Sequence, residues 1–327
     1  MINENVVNAK IPVVVVFAPT ATGKTALALN LFGKSSLSFF KGRGELISAD
    51  SMQVYKGLDI GTAKPSLKEK NLLKHHLVDI CDCKTQFTVA DFISSADELC
   101  KNIWSGKKIP IVAGGTGFYI RSFLLGLPQT PESNAVIRNQ LKNECIEKGI
   151  EYMYCELKKV DSVSADKINK NDEYRILRAL EVFRLTGKPR SSFPLENKLR
   201  DSFDFLTIIL ERNREELFKR INERVDKMFE MGLQTEVEQL IKNGATSDMP
   251  GMQAIGYREW FENDFSTSEG IELIKKQIQK DSRKYAKKQY TYMKDIPHAI
   301  RIHIDSESED EIACKVEQLL LKKFSVE

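Results

Sequence analysis

A continuous apolar, β-branched run at residues 12–17 leads directly into Ala18-Pro19-Thr20-Ala21-Thr22-Gly23-Lys24-Thr25, and residues 24–29 then read as a helix. A run without polar alternation suits a parallel strand buried on both faces, so the layout is strand, loop, helix. Such a loop turns its backbone N–H groups toward an anion at a helix N-terminus. Lys24 adds a mobile positive charge, and the Thr25 hydroxyl adds a ligand for Mg²⁺. That is the layout of a phosphate-binding P-loop. Ala18 stands where the first glycine of such a loop is usual, but a residue at a strand end needs only ordinary dihedrals, which alanine adopts. The alternative is a glycine-containing turn without phosphate, and the flanking strand and helix favour phosphate.

Two more apolar runs follow, at 45–49 ending on Asp50 and at 109–113 ending on Gly114-Gly115-Thr116, with a helical pattern at 89–104 between them. The first 125 or so residues therefore alternate strand and helix, which predicts an α/β fold with its ligand beyond the carboxyl ends of parallel strands. Past a turn-rich stretch at 126–131, residues 135–148 and 173–186 read as charged amphipathic helices, and an apolar run at 205–210 resumes the core. The helical part is thus an insertion and not a tail. Helices are expected again at 214–231 and 270–294. The expected division is 1–130 for the first part of the core, 131–203 for a helical insertion domain, 204–304 for the second part with a basic helix, and 305–327 for an acidic strand and helix.

The 49 Lys+Arg against 46 Asp+Glu leave a net charge of +3, too small to announce a polyanionic partner, so any such partner must be argued from local clusters. One cluster stands out. Lys275, Lys276, Lys280, Arg283, Lys284, Lys287, Lys288 and Lys294 interleave with Tyr285, Tyr290 and Tyr292 and are opposed only by Asp281. A one-sided run of this kind suits contact with a phosphate backbone, although many such runs are simply solvated helix faces. The six cysteines form no C-x-x-C pair, the N-terminus shows no basic-then-apolar leader, and the run at 11–18 is too short to cross a bilayer. A cytoplasmic protein without a membrane partner is expected.

Most P-loops serve phosphoryl transfer, which needs a second-strand carboxylate on Mg²⁺, and Asp50 could serve. However, Asp50 opens a dense polar and glycine string, Ser51-Met52-Gln53-Val54-Tyr55 and then 57–65, that a metal ligand alone does not need. APTATGKT at 18–25, LISADSMQVYKGLDIGTAKP at 46–65, HHLVDI at 75–80, IVAGGTGFYI at 111–120, NDEYRILRALEVFRLTGKP at 171–189 and QAIGYRE at 253–259 together resemble the ordered motif set of the tRNA dimethylallyltransferases, also called tRNA isopentenyltransferases. The resemblance runs from about residue 12 to about residue 294.

It implies a P-loop, nucleotide-kinase-like parallel-sheet core with an inserted helical domain that grips the anticodon arm. The reaction implied is transfer of the dimethylallyl group of dimethylallyl diphosphate to the exocyclic amine of the adenosine 3′ of the anticodon, in tRNAs reading codons that begin with U. The products are N6-isopentenyladenosine and diphosphate. A Mg²⁺-dependent monomer is implied as well, with Thr25 on the metal. The resemblance assigns Asp50 as general base and gives Thr116 and Arg220 catalytic roles. Pro19, Thr20, Ala21, Thr22, Gly23, Lys24 and Thr25, with Arg220 and Arg224, would bind diphosphate. Asp50, Ser51, Met52, Gln53, Thr116, Arg138, the stretch Tyr174-Arg175-Ile176-Leu177-Arg178, and Gln253-Ala254-Ile255-Gly256-Tyr257-Arg258 would meet tRNA. Tyr174 stands where the family has a more polar residue.

The residue chemistry agrees with these roles. An adenine amine is a weak nucleophile, and a carboxylate that takes its proton lowers the barrier. A P-loop can stabilise charge on a departing diphosphate without any phosphoryl transfer. Arg220 and Arg224 share a helix face and could clamp oxyanions, or could pair with Glu216, Glu223 or Asp226 at the surface. Thr116 could contact RNA or only shape its turn. Amide, aromatic and guanidinium groups at 253–258 suit an unpaired base, which must leave its stack to reach a buried diphosphate. A channel open at both ends is therefore expected. Phe118, Phe123 and Leu124 could line it, with packing the simpler reading. The competing function is a P-loop prenyltransferase or kinase acting on free adenine nucleotides, which would not need the insertion.

Overall fold

The computed structural model describes residues 10–195, 197–305 and 307–324. In chain order the first elements are β1 (Ile11–Phe17), α1 (Lys24–Phe32), β2 (Gly44–Ser48), α2 (Leu67–Leu72), β3 (His75–His76), α3 (Val89–Ser105), β4 (Ile109–Gly114) and α4 (Gly117–Leu125). A helical run follows: α5 (Ala135–Lys148), α6 (Ile150–Val160), α7 (Ser162–Ala165) and α8 (Glu173–Thr186). The chain closes with β5 (Phe203–Glu211), α9 (Arg214–Glu230), α10 (Leu233–Lys242), α11 (Glu259–Glu262), α12 (Ser268–Lys294), β6 (Ile300–His303) and α13 (Glu309–Phe324). Two compact units result, one from Met1–Leu124 with Leu199–Glu327 and the other from Leu125–Lys198.

The first unit is built on one sheet of order β3-β2-β4-β1-β5-β6, with every pairing parallel. β1 lies inside the sheet between β4 and β5, so Val13 to Phe17 are shielded on both faces, as an unbroken β-branched run requires. Its carboxyl end delivers the loop at 18–23 next to the ends of β2 and β4, where Asp50 and Gly115 follow. One face packs α1 and α13 through Leu27, Leu31, Ile312 and Val316. The other carries stacked and tilted aromatic rings of Phe92, Tyr119, Phe123, Phe203 and Phe205. Phe123 and Leu124 are fully buried packing residues, whereas Phe118 is exposed.

The sequence reading misses the two edge strands. β3 has only two residues, too few for any periodicity, and exists through its register with Leu46 and Ile47. β6 pairs Ile300 with Ile208 and Ile302 with Leu210, so among the described residues the last strand lies before residue 305 and the segment beyond carries only α13. That corrects the expectation of a strand within 305–327.

The second unit has a core of its own, in which Leu141 of α5, Met153 and Leu157 of α6, and Ile176, Leu177 and Leu180 of α8 are buried together. α5 and α6 are joined by Gly149 alone, whose φ of 84° turns the chain where a side chain would be strained. Among the described residues, no helix is long and apolar enough to cross a membrane.

Candidate active site

The loop at 18–23 places its conformational demands on two residues. Ala21 has φ 61° and Gly23 has φ 106°, both left-handed. Ala18 does not: it is buried and its N–H reaches the Gly114 carbonyl at 3.5 Å, continuing the strand pairing, so alanine replaces the usual glycine without strain. Gly23 also forms the N-cap of α1 and offers no side-chain cap, which leaves the helix N–H groups open to an anion.

Lys24 Nζ donates to the carbonyls of Ala18 and Pro19 at 2.9 and 2.8 Å, which holds the ammonium against its own loop. Burial and the nearby Arg224 lower its pKa to about 7, with Asp50 opposing. Arg224 is itself pushed down by burial and partly restored by Asp50. Two cations and one carboxylate thus crowd a poorly solvated space, an arrangement that favours an incoming anion. Arg220, one turn before Arg224 on α9, donates from Nε to the Ala21 carbonyl at 3.1 Å. Among the described residues, neither arginine forms a salt bridge with Glu216, Glu223 or Asp226.

These groups border a cavity of about 710 Å³ that is also lined by Thr25, by Asp50 to Gln53, and by Gln253, Ala254, Ile255 and Arg258. Sequence segments 25, 50, 220 and 253 therefore meet in one place. Asp50 Oδ1 accepts the N–H groups of Met52 at 2.9 Å and Gln53 at 3.3 Å, while Oδ2 has no hydrogen bond among the described residues and is available to a proton. Met52, Val225, Met228, Ile255 and Ile278 give the same cavity an apolar wall.

Several assigned residues act otherwise than direct contact would require. Thr116 does not line the cavity; its hydroxyl accepts the Ser51 N–H at 3.0 Å and lies 3.3 Å from the Ser51 hydroxyl, so it braces the residue after Asp50. The Gln53 amide is committed to the Thr62 and Ala63 carbonyls, each at 3.2 Å. Tyr257 is 0% exposed, so its ring offers no face to a base. Its hydroxyl donates to Glu236 at 2.6 Å and accepts the Gly61 N–H at 3.0 Å. A Cβ on Gly61 would stand 2.5 Å from that ring, which explains glycine there. Arg258 pairs with Glu259 and Asp281 at 3.2 and 3.0 Å. Thr22, buried with an unpartnered hydroxyl, lines a separate cavity of about 260 Å³.

The basic helix is corrected in a similar way. On α12, Lys280, Lys284, Lys287, Lys288 and Lys294 are exposed, but the tyrosines turn inward. Tyr290 donates to the Arg212 carbonyl at 2.9 Å, Tyr292 packs over Gly117, and Tyr285 lines the cavity. Burial and the charge of Asp50 push the Tyr285 hydroxyl up to about 12. Tyr285 and Tyr292 thus share one stripe of the helix, whereas Tyr290 packs on the separate cluster of Leu217, Ile221 and Ala286. Tyr285 and Gln289 line the cavity, a place that the sequence reading did not give them. The usable signal was the spacing of 278, 285, 289 and 292, which puts one stripe of α12 against the core.

In the helical unit, Ile176 and Leu177 belong to the core, so their side chains cannot meet RNA. Arg178 is held by the buried Glu181 at 2.7 Å. Exposed groups remain: Tyr174 is 66% exposed with the Arg138 guanidinium 4.9 Å over its ring, and Arg175 pairs with Asp172 at 2.9 Å.

Among the described residues there is no group of three or more His, Cys, Asp or Glu side chains that would cage a metal. Thr25 beside the loop offers one hydroxyl. That ligand fits a Mg²⁺ that takes its remaining oxygens from phosphate and water.

Residues 53–296 match the family model for IPP transferase. The tRNA dimethylallyltransferase of Acetivibrio thermocellus is 39% identical over 319 residues, 96% of this chain and 98% of its own. That of Clostridioides difficile is 38% identical over 322 residues, 97% and 99% of the two chains. The crystal structure of the full-length tRNA isopentenylpyrophosphate transferase from Bacillus halodurans is similar with a TM-score of 0.68 at 31% identity, covering 97% of each chain. A eukaryotic dimethylallyltransferase captured acting on tRNA gives a TM-score of 0.79 at 27% identity, over 95% of this chain and 78% of that one.

Proposed function

Since the chain belongs to the IPP transferase family, we propose that it is a tRNA dimethylallyltransferase that joins the dimethylallyl group of dimethylallyl diphosphate to the exocyclic amine of the adenosine 3′ of the anticodon. The observation that carries this reading is the single cavity bordered by the P-loop cations and, across from them in sequence, by Asp50 with an unengaged carboxylate oxygen.

The chemistry then follows from the residues. The amine nitrogen forms a bond to C1 of the allylic chain as the bond from C1 to the diphosphate oxygen breaks. Asp50 Oδ2 takes the proton that the amine loses. Lys24, Arg220, Arg224 and the N–H groups ahead of α1 stabilise the negative charge that collects on the leaving diphosphate. Mg²⁺ held by Thr25 would neutralise part of that charge. The apolar wall from Met52 to Ile278 gives the isoprenoid a surface that excludes water. Asp50, Ser51, Met52, Gln253, Ile255 and Arg258 in the core unit, and Arg138, Tyr174 and Arg175 in the helical unit, are among the groups accessible to RNA. The free thiols of all six cysteines suit the reducing cytoplasm.

A kinase or prenyltransferase of free adenine nucleotides is not favoured, because relatives that span nearly this whole chain are named for a tRNA substrate. Unmodified tRNA incubated with the protein, dimethylallyl diphosphate and Mg²⁺ and then digested to nucleosides is expected to yield N6-isopentenyladenosine. Recovery of adenosine alone would contradict the proposal.

A further inference from the structure

Gln289 is 2% exposed on α12 and lies between two loops that the reaction has to hold together. Its Oε1 accepts the Thr20 N–H at 3.2 Å, and its Nε2 donates to the Gly115 carbonyl at 2.6 Å. Gly115 is fitted to this contact, since a Cβ there would stand 2.4 Å from Nε2. The hydroxyl of Tyr285, one turn earlier on the helix, lies 3.5 Å from the same carbonyl. From Gly115 the line continues: Thr116 accepts the Ser51 N–H, and Ser51 follows Asp50. One buried amide therefore ties the diphosphate loop to the turn that braces the general base. With its oxygen and its nitrogen both committed to backbone groups, it acts through those loops.

We infer that Gln289 is a positioning residue that couples donor and acceptor binding. It fixes the P-loop against the Gly115-Thr116 turn, so that an anion ordering the first loop also orders the second, which through Ser51 steadies Asp50 at the acceptor side of the cavity. The inference rests on the reading of this cavity as a diphosphate and RNA site. Coupling of this kind is reciprocal, so each ligand must tighten the other by the same factor.

The test measures the affinity of an unmodified anticodon stem-loop with and without saturating inorganic diphosphate and Mg²⁺, and the affinity of diphosphate with and without the stem-loop. The wild-type protein is expected to show a gain of about fivefold or more in both directions. Gln289→Met removes both hydrogen bonds at similar size, and Gln289→Glu keeps an acceptor for Thr20 but no donor for Gly115. In both, the gain is expected to fall to within about twofold of none, while each separate affinity moves by less than about threefold. A purely structural role would lower the melting temperature and leave the gain intact. The inference is overturned by a folded variant that keeps the wild-type gain, or by a wild-type protein that shows none. The second result does not depend on how the variants fold. A stem-loop that fails to bind wild-type protein at all would instead overturn the functional reading.

Discussion

Asp50 has one carboxylate oxygen oriented by two backbone N–H groups and the other open, which fixes the side chain while leaving it able to accept a proton. Asp50→Asn keeps the size and the acceptor for Met52 and Gln53 but removes the basicity. Turnover is expected to fall by about 10²–10⁴-fold while tRNA affinity stays within about threefold. Single-turnover rates and equilibrium binding measured side by side check this, and equal losses in both would count against a base role. That Lys24, Thr25 and Asp50 border one cavity was legible in the sequence, the first two from a local strand-loop-helix context and Asp50 from the motif resemblance. The places of Tyr257 and Thr116 were not. Tyr257 is set by Gly61 and Glu236, and Thr116 by Ser51, and such partners far along the chain leave no trace in a short motif.

The sheet edge near β3 carries a buried charge cluster beside its packed leucines. Glu45 of β2 is buried and meets Lys108, His76 and Lys74 at 2.7, 2.7 and 3.2 Å. Burial alone would raise its carboxyl, but hydrogen bonds from Lys108, His76 and Lys74 hold it at about 2. A carboxyl depressed in the folded state contributes stability that is present above its unfolded value and lost as pH falls toward the folded one. Glu45→Gln is therefore expected to cost about 2 kcal/mol at pH 7 and almost nothing near pH 2. Denaturant unfolding across that range checks the slope, and a constant difference between the two proteins would contradict it. At α12 the lysines kept outside are the ones open to phosphate. Neutralising Lys284, Lys287 and Lys288 together should weaken tRNA binding and flatten the plot of log affinity against log salt by about two. Composition showed that this helix is basic, but only the repeat of 278, 285, 289 and 292 indicates which face Tyr285 and Tyr292 take.

At the scale of the molecule, one parallel sheet gathers segments from residue 20 to residue 289 at the carboxyl ends of its strands, and a separately packed helical unit interrupts the chain between Leu125 and Lys198. The interruption was legible because strand signals stop after the turn-rich 126–131 and resume near 205, a change in periodicity that survives without any contact information. The edge strands were not, since they are decided by neighbours brought in from elsewhere in the chain. The central claim is that a P-loop here serves a diphosphate leaving group and an RNA acceptor. Dimethylallyl diphosphate labelled in its allylic group, offered with Mg²⁺ to equal amounts of unmodified tRNA and AMP, tests it most directly. The label is predicted to enter tRNA at the adenosine 3′ of the anticodon and to leave AMP untouched; label in AMP alone, or in neither acceptor, would contradict the account.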